Sequence, residues 1–167
     1  MKITKAELVE MGACRVGLER FIKQTNGTDE AVEVTSLIGG ENTLSDLVWL
    51  AGKMLPQERI VRFACDCALI NIELIKPYTS DYDIIVEFLR NPTGGGLVGD
   101  AAAYAADTAR NAAADAAYAA DAAWNAADAA DTDAAVAAAY AADTAAYAAT
   151  RVGDKEKVNE LLKEMFA

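Results

Sequence analysis

Aromatic rings and carboxylates recur at regular intervals between residues 100 and 152, and these side chains are well suited to recognise another molecule. The unit Tyr-Ala-Ala-Asp occurs three times, and residues 101–150 hold 30 alanines, seven aspartates and one arginine. Tyrosine supplies apolar contact area and a directed hydrogen bond, while aspartate supplies charge. The candidate binding residues are Tyr104, Arg110, Tyr118, Asp121, Trp124, Asp128, Tyr140, Asp143 and Tyr147.

On one continuous helix the tyrosines would share one face and the aspartates a second face, with Trp124 on the side opposite the tyrosines. Each stripe has a structural explanation, since the rings can fill gaps against neighbouring helices and the carboxylates can keep an alanine-rich surface soluble. The functional interpretation is a tyrosine recognition face beside a ladder of carboxylates, spaced by about 10 Å per heptad, that engages a basic groove. Arg110 can pair with Asp107 or orient an anionic ligand.

Residue types that most enzymes and metal sites rely on are missing or poorly placed. The chain has no histidine, which removes Ser-His-Asp and Cys-His nucleophile systems and the usual general base near neutral pH. Cys65 and Cys67 would point about 200° apart on a helix, so we expect buried, inert thiols instead of a metal site. Asp128, Asp131 and Asp133 are poorly placed to ligate a metal together, because Asp128 and Asp133 would lie on different helical faces. We therefore expect no enzyme activity, no metal and no cofactor.

The charge balance narrows the choice of partner. The 167 residues include 26 acidic and 15 basic side chains, for a net charge of −11, so direct binding to nucleic acid phosphates is not expected. Aspartate recurs about every seven residues in the alanine tract, which a membrane span does not tolerate. Three cysteines cannot all pair, and the first residues lead into a capped helix instead of a secretion signal. We expect a cytoplasmic protein.

Apolar spacing predicts an all-α fold with a compact bundle of about five N-terminal helices in residues 1–91. Thr4 and Glu7 form a capping box that starts a helix over residues 5–24. Thr43 with Asp46, and Ser80 with Asp83, are expected to start two others, and Ile84, Ile85, Phe88 and Leu89 are expected to form the buried stripe of the last. The helix that starts at Thr43 is expected to end at Leu55. The remaining predicted helices are a short turn over 35–39 and a helix over 56–75.

Residues 92–99 form the clearest linker in the chain, because Pro92 and Gly94-Gly95-Gly96 interrupt regular structure. A phosphate-binding loop is not expected there, since its lysine is missing. Residues 100–152 follow as the alanine-rich tract. A single helix of fifty residues would be about 75 Å long, so we favour two or three helices, with a turn near 129–133, over one rod. Residues 153–167 are predicted to form a C-terminal amphipathic helix that returns to the core, which makes one structural domain.

Three stretches of the chain together resemble a known protein family. They are GACRVGLERF at 12–21 with LVWLAGKMLP at 47–56, RFACDCALINIELI at 62–75, and the alanine tract closed by RVGDKEKVNELLKEMF. This combination resembles the alanine-rich immunity protein family of bacterial toxin loci and phage genomes. SDYDIIVEFL replaces the arginine-rich loop that often follows the CDCA helix there. The resemblance implies an all-helical binding or neutralising protein of a bacterial host cell, and it carries over no catalytic residue.

These observations together favour a non-enzymatic protein that neutralises a bacterial toxin or defence component by occlusion, with a basic protein as its partner. Two alternatives stay open: a protein that sequesters a nucleotide-like small ligand between the rings and the arginine of the tract, and a DNA-mimic inhibitor of a basic nucleic-acid-binding protein. The tract also offers more small apolar surface than the N-terminal helices can cover. We therefore expect a homodimer, formed through the face with Tyr140 and Tyr147; the alternative is an intramolecular hairpin of the tract that hides the same face.

Overall fold

The computed structural model describes residues 1–70, 72–92 and 155–167. These residues are mostly helical, which confirms the predicted all-α class. Their α-helices are α1 (Lys5–Glu10), α2 (Arg15–Gln24), α3 (Leu44–Met54), α4 (Gln57–Ile70), α5 (Tyr82–Arg90) and α6 (Lys155–Phe166). Two 3₁₀ helices cover Val34–Leu37 and Ile72–Tyr78, and strand β1 (Lys2–Ile3) pairs with β2 (Val32–Glu33). The predicted linker, apart from Pro92, and the whole alanine tract lie outside the described residues.

The predicted continuous helix over residues 5–24 is wrong, because the chain breaks between α1 and α2. The expected capping box of Thr4 and Glu7 does start α1. Gly12 then adopts a positive φ of 83°, a conformation that glycine reaches without steric cost. Cys14 caps α2 with its sulfur, which accepts a hydrogen bond from the Gly17 N–H at 3.3 Å. The two short helices therefore pack against each other instead of forming one rod.

A short antiparallel sheet, which the sequence did not indicate, ties the start of the chain to the segment after α2. Lys2 lies opposite Glu33 and Ile3 lies opposite Val32. Ile3 is completely buried, and the N-terminal ammonium forms an ion pair with Glu33 at 3.1 Å. The predicted turn over 35–39 corresponds to the 3₁₀ helix Val34–Leu37. The sheet thus places this 3₁₀ helix against the rest of the fold.

Helix α4 forms the centre of the described core and packs against α3, α5 and α6. Helical spacing predicts a buried face of Ile60, Phe63, Ala64, Cys67, Ile70 and Leu74; the first four are buried, whereas Ile70 is half-buried and Leu74, beyond the end of α4, is exposed. The C-terminal helix α6 returns to this core, as predicted. Its buried side chains are Val158, Leu162, Met165 and Phe166. Among the described helices, none has the length and apolar content that crossing a bilayer requires.

The region from α4 to α5 differs from the predicted pattern. The helix predicted over 56–75 stops at Ile70, and the chain continues as a 3₁₀ helix that contains Pro77. Proline lacks the N–H that an α-helical ladder requires, and its ring crowds the carbonyl four residues earlier. Ser80 does not cap α5, since Asp81 occupies that position, and the Asp81 side chain accepts no capping hydrogen bond from the helix.

The buried face of α5 is rotated relative to the predicted stripe. Ile85, Phe88 and Leu89 are buried as expected, but Ile84 is 41% exposed. Val86 is buried in its place. At about 100° per residue, a face that includes Val86 is centred about 120° away from Ile84. The isoleucine therefore lies beyond the edge of the contact with α4.

Candidate functional site

The nine candidate binding residues of the alanine tract all lie outside the described residues, so their role stays a prediction. They are Tyr104, Arg110, Tyr118, Asp121, Trp124, Asp128, Tyr140, Asp143 and Tyr147. The described helices contain a cavity that could bind a small molecule. None of the residues that line it is among the nine candidates predicted from the sequence.

A cavity of about 280 Å³ lies between α1, α2 and α3. Most of its wall is apolar. The apolar wall consists of Leu8, Ala13, Phe21, Leu37, Leu47, Trp49 and Leu50. The break between α1 and α2 creates this space, because it folds α1 back beside α2 and leaves the small residues Gly12 and Ala13 on the wall.

Gly17 lets the first turns of α2 and α3 come close together at one end of the cavity. A Cβ atom added at Gly17 would lie 3.0 Å from Asp46 Oδ1 and 3.4 Å from the sulfur of Cys14. An alanine would therefore force the carboxylate to move. Glycine brings a carboxylate and a thiol to the same end of an otherwise apolar space.

Asp46 holds the polar end of the cavity through two separate contacts. Its Oδ2 atom accepts hydrogen bonds from the N–H and the hydroxyl of Thr43, both at 2.8 Å, which completes the predicted capping box of α3. The Arg20 guanidinium donates to Oδ2 at 2.9 Å and to Oδ1 at 3.2 Å. A carboxylate oxygen has about two lone-pair sites, so Oδ1 retains more accepting capacity than Oδ2.

Asn42 fixes the loop that closes the rim of the cavity. Its side chain is 9% exposed, and its backbone N–H and its Nδ2 both donate to Gln24 Oε1, at 3.1 and 2.9 Å. Gln24 Nε2 in turn donates to the carbonyl of Ser36 at 3.0 Å. A Cβ atom at Gly40 would overlap the Gln24 amide, so a larger residue there would displace this side chain. The loop is thereby anchored to α2.

The three thiols have different environments. Cys14 is exposed and lines the cavity. Cys65 and Cys67 are buried in α4, as predicted. Burial, reinforced by the charge of Asp66, raises the pKa of Cys65 to about 12 and also raises the pKa of Cys67. Both thiols therefore stay protonated, which makes them poor nucleophiles and poor metal ligands. Over the described ranges, no group of three or more cysteine, aspartate or glutamate side chains is arranged to hold a metal.

Neither a family model, nor a curated protein, nor a solved structure matches the chain. The resemblance to the immunity protein family thus stays a prediction that depends on the quoted motifs.

A second, charged groove lies between α4 and α6, with a volume of about 480 Å³. Arg62 donates to both oxygens of Asp66, at 2.9 and 2.7 Å, and to the carbonyl of Arg90 at 2.7 Å. The hydrogen bond from Asp66 raises the pKa of Arg62. Arg59 donates to the carbonyl of Glu164 at 3.1 Å and so ties α4 to α6. These guanidinium groups serve the packing of three helices, and the groove is a weaker candidate than the cavity.

Proposed function

We propose that this protein is a non-enzymatic, acidic helical protein of the bacterial cytoplasm that binds a basic protein, a toxin or a defence component, and neutralises it by occlusion. The distribution of charge along the chain carries this proposal. Residues 93–154 contain nine aspartates and two arginines, so this stretch holds most of the net charge of −11. A dense run of carboxylates favours association with a positively charged protein surface.

Of the 13 lysine and arginine side chains in the described part of the chain, six form ion pairs within the fold itself. The six that pair with local carboxylates are Lys2, Arg15, Arg20, Lys23, Arg62 and Lys76. Such pairing reduces the positive potential that would attract a phosphate backbone. It supports a protein partner over direct binding to nucleic acid.

The chemistry of the chain also favours binding over catalysis. The sequence contains no histidine, and the pKa of Cys65 is raised to about 12 by burial. An activated nucleophile usually needs an adjacent base or a lowered pKa. Occlusion of a partner needs neither of these, only a complementary surface.

Replacing Asp121, Asp128 and Asp143 with asparagine should reduce capture of the basic partner from a bacterial lysate by about tenfold or more at low ionic strength, because charge steers and orients such complexes. The matched control replaces Glu10, Asp29 and Glu30, which are exposed on the described fold, with glutamine, asparagine and glutamine. Both triple variants lose the same charge. Quantitative mass spectrometry of the captured proteins measures the difference.

Full retention of the partner by the Asp121, Asp128 and Asp143 variant would show that these carboxylates are not the contact. Equal losses in both triple variants would indicate that only net charge matters. Capture of no protein at any salt concentration would contradict the proposed function. Release of a captured nucleic-acid-binding protein by added duplex DNA would identify the DNA-mimic version.

The protein should also form a homodimer through the alanine tract, since small apolar faces need a long or repeated contact to contribute much stability. Light scattering in moderate salt should give twice the chain mass of 17.6 kDa. Tyr140→Asp should produce a monomer, and Tyr104→Asp should leave the dimer intact. A mass near 17.6 kDa at tens of micromolar would refute the dimer.

A further inference from the structure

We propose that the cavity between α1, α2 and α3 binds a small, neutral aromatic molecule that carries one hydrogen-bond donor, of the size and chemistry of an indole or a phenol. This function is independent of the proposed protein partner. It depends on the size of the cavity, its apolar wall and the accepting oxygen at its polar end.

The volume of the cavity suits a small molecule better than water. About 280 Å³ is far above the roughly 10–15 Å³ that one water requires, and it is close to the lower end, about 300 Å³, of small-molecule pockets. Water in such a space would meet mostly carbon, as the side chains of Leu8, Leu47 and Leu50 form much of the wall. An apolar ligand would release that water and bury its own surface.

The wall favours an aromatic ligand. Phe21 and Trp49 both line the cavity, and aromatic rings pair favourably in offset-stacked or edge-to-face arrangements. The Lys53 ammonium lies 5.9 Å from the centre of the Trp49 ring, so it supports the ring from outside the cavity wall. Ala13 leaves room that a larger side chain at the same position would fill.

The polar end selects a donor group on the ligand. Asp46 Oδ1 receives only the longer of the two Arg20 contacts, at 3.2 Å, while Oδ2 already accepts from Thr43 and Arg20. A ligand N–H or O–H can therefore donate to Oδ1. The Arg20 guanidinium offsets the charge of the carboxylate, so the donor group of the ligand can be neutral. An anionic group on the ligand would lie against the Asp46 carboxylate and be repelled by it.

The site is held in place before any ligand arrives. The capping box fixes Asp46, and the pair of hydrogen bonds from Asn42 to Gln24 anchors the rim. A preformed space of this size with a directed acceptor is typical of ligand pockets.

The test uses indole, which has an N–H donor, and benzothiophene, a close isostere that has none. Indole should raise the melting temperature of the full-length protein and slow the alkylation of Cys14, whose thiol lines the cavity. Benzothiophene should bind at least about fivefold more weakly, since Asp46 Oδ1 then faces no donor. Ala13→Phe should abolish both effects of indole, while Ala6→Phe, at an exposed position of α1, should retain them.

Several results would overturn the proposal. They are no thermal shift and no protection of Cys14 by indole up to its solubility limit, full indole binding by Ala13→Phe, or equal affinity for benzothiophene. If Ala13→Phe fails to fold, methyl resonances of Leu8, Leu37 and Leu50 in the native protein give the answer. Indole in the cavity should shift these resonances and leave those of Leu162 in α6 unchanged, and the absence of shifts would contradict the assignment.

Discussion

Replacing Phe166 with alanine should lower the free energy of unfolding by about 3–5 kcal/mol. The side chain is 1% exposed and lies at the end of α6, which packs against α4 and the 3₁₀ helix Val34–Leu37. Removing the ring deletes buried contacts and leaves a void that three elements would have to close together. Because small domains are stable by only about 5–15 kcal/mol, this loss would affect the whole fold.

Urea denaturation followed by circular dichroism measures the change. Leu161→Ala is the matched control, because Leu161 lies on the same helix and is only half-buried, so its loss should cost about 1 kcal/mol. Equal losses of unfolding free energy in the two variants would mean that the deeper burial of Phe166 adds no stability beyond that of Leu161. No loss for Phe166→Ala would show that α6 is not part of the cooperative core.

The features predicted correctly from the sequence depend on contacts between near neighbours. The capping boxes at Thr4 with Glu7 and at Thr43 with Asp46 each join residues three positions apart, so a short stretch determines them completely. The buried faces of α4 and α6 follow from apolar residues that repeat every three or four positions. Such local patterns do not depend on how distant parts of the chain pack.

The break between α1 and α2 could not be predicted from the same kind of pattern. Apolar residues at Leu8, Met11, Cys14, Leu18 and Phe21 keep helical spacing straight through it. A positive φ at Gly12 and a sulfur cap at Cys14 are compatible with the sequence but not required by it. Contacts made after the turn stabilise the break. Strands of two residues, as in β1 and β2, are likewise too short to leave a periodic signal.

The cavity was missed because its parts come from distant positions. Asp46 was predicted only as part of a helix cap. Its carboxylate also pairs with Arg20, 26 residues earlier, and lines the cavity. Asn42 and Gln24 are separated by 18 residues. Periodicity identifies which face of a helix is apolar, but it does not show which faces meet or leave space between them. The predicted binding residues of the tract were chosen by type and spacing alone, and they stay a prediction.

A thiol reagent at pH 8 should modify Cys14 in the native protein and leave Cys65 and Cys67 intact. Only the thiolate reacts, and a pKa of about 12 for Cys65 leaves about one molecule in ten thousand ionised at that pH. Burial also blocks access to both thiols of α4. We therefore expect Cys14 to react at least about a thousand times faster than either buried cysteine.

Mass spectrometry of the peptides after timed alkylation with iodoacetamide measures the three rates, and all three thiols should react in guanidinium. Cys14→Ser should make the native protein unreactive. The pKa of Cys65 and Cys67 is higher in the folded than in the unfolded chain, so their contribution to stability is present below the ordinary thiol pKa and is lost as the pH rises toward 12. Unfolding should thus become easier in alkali. Native alkylation of Cys65 at the rate of Cys14 would mean that α4 opens readily to solvent and does not form the centre of a stable core.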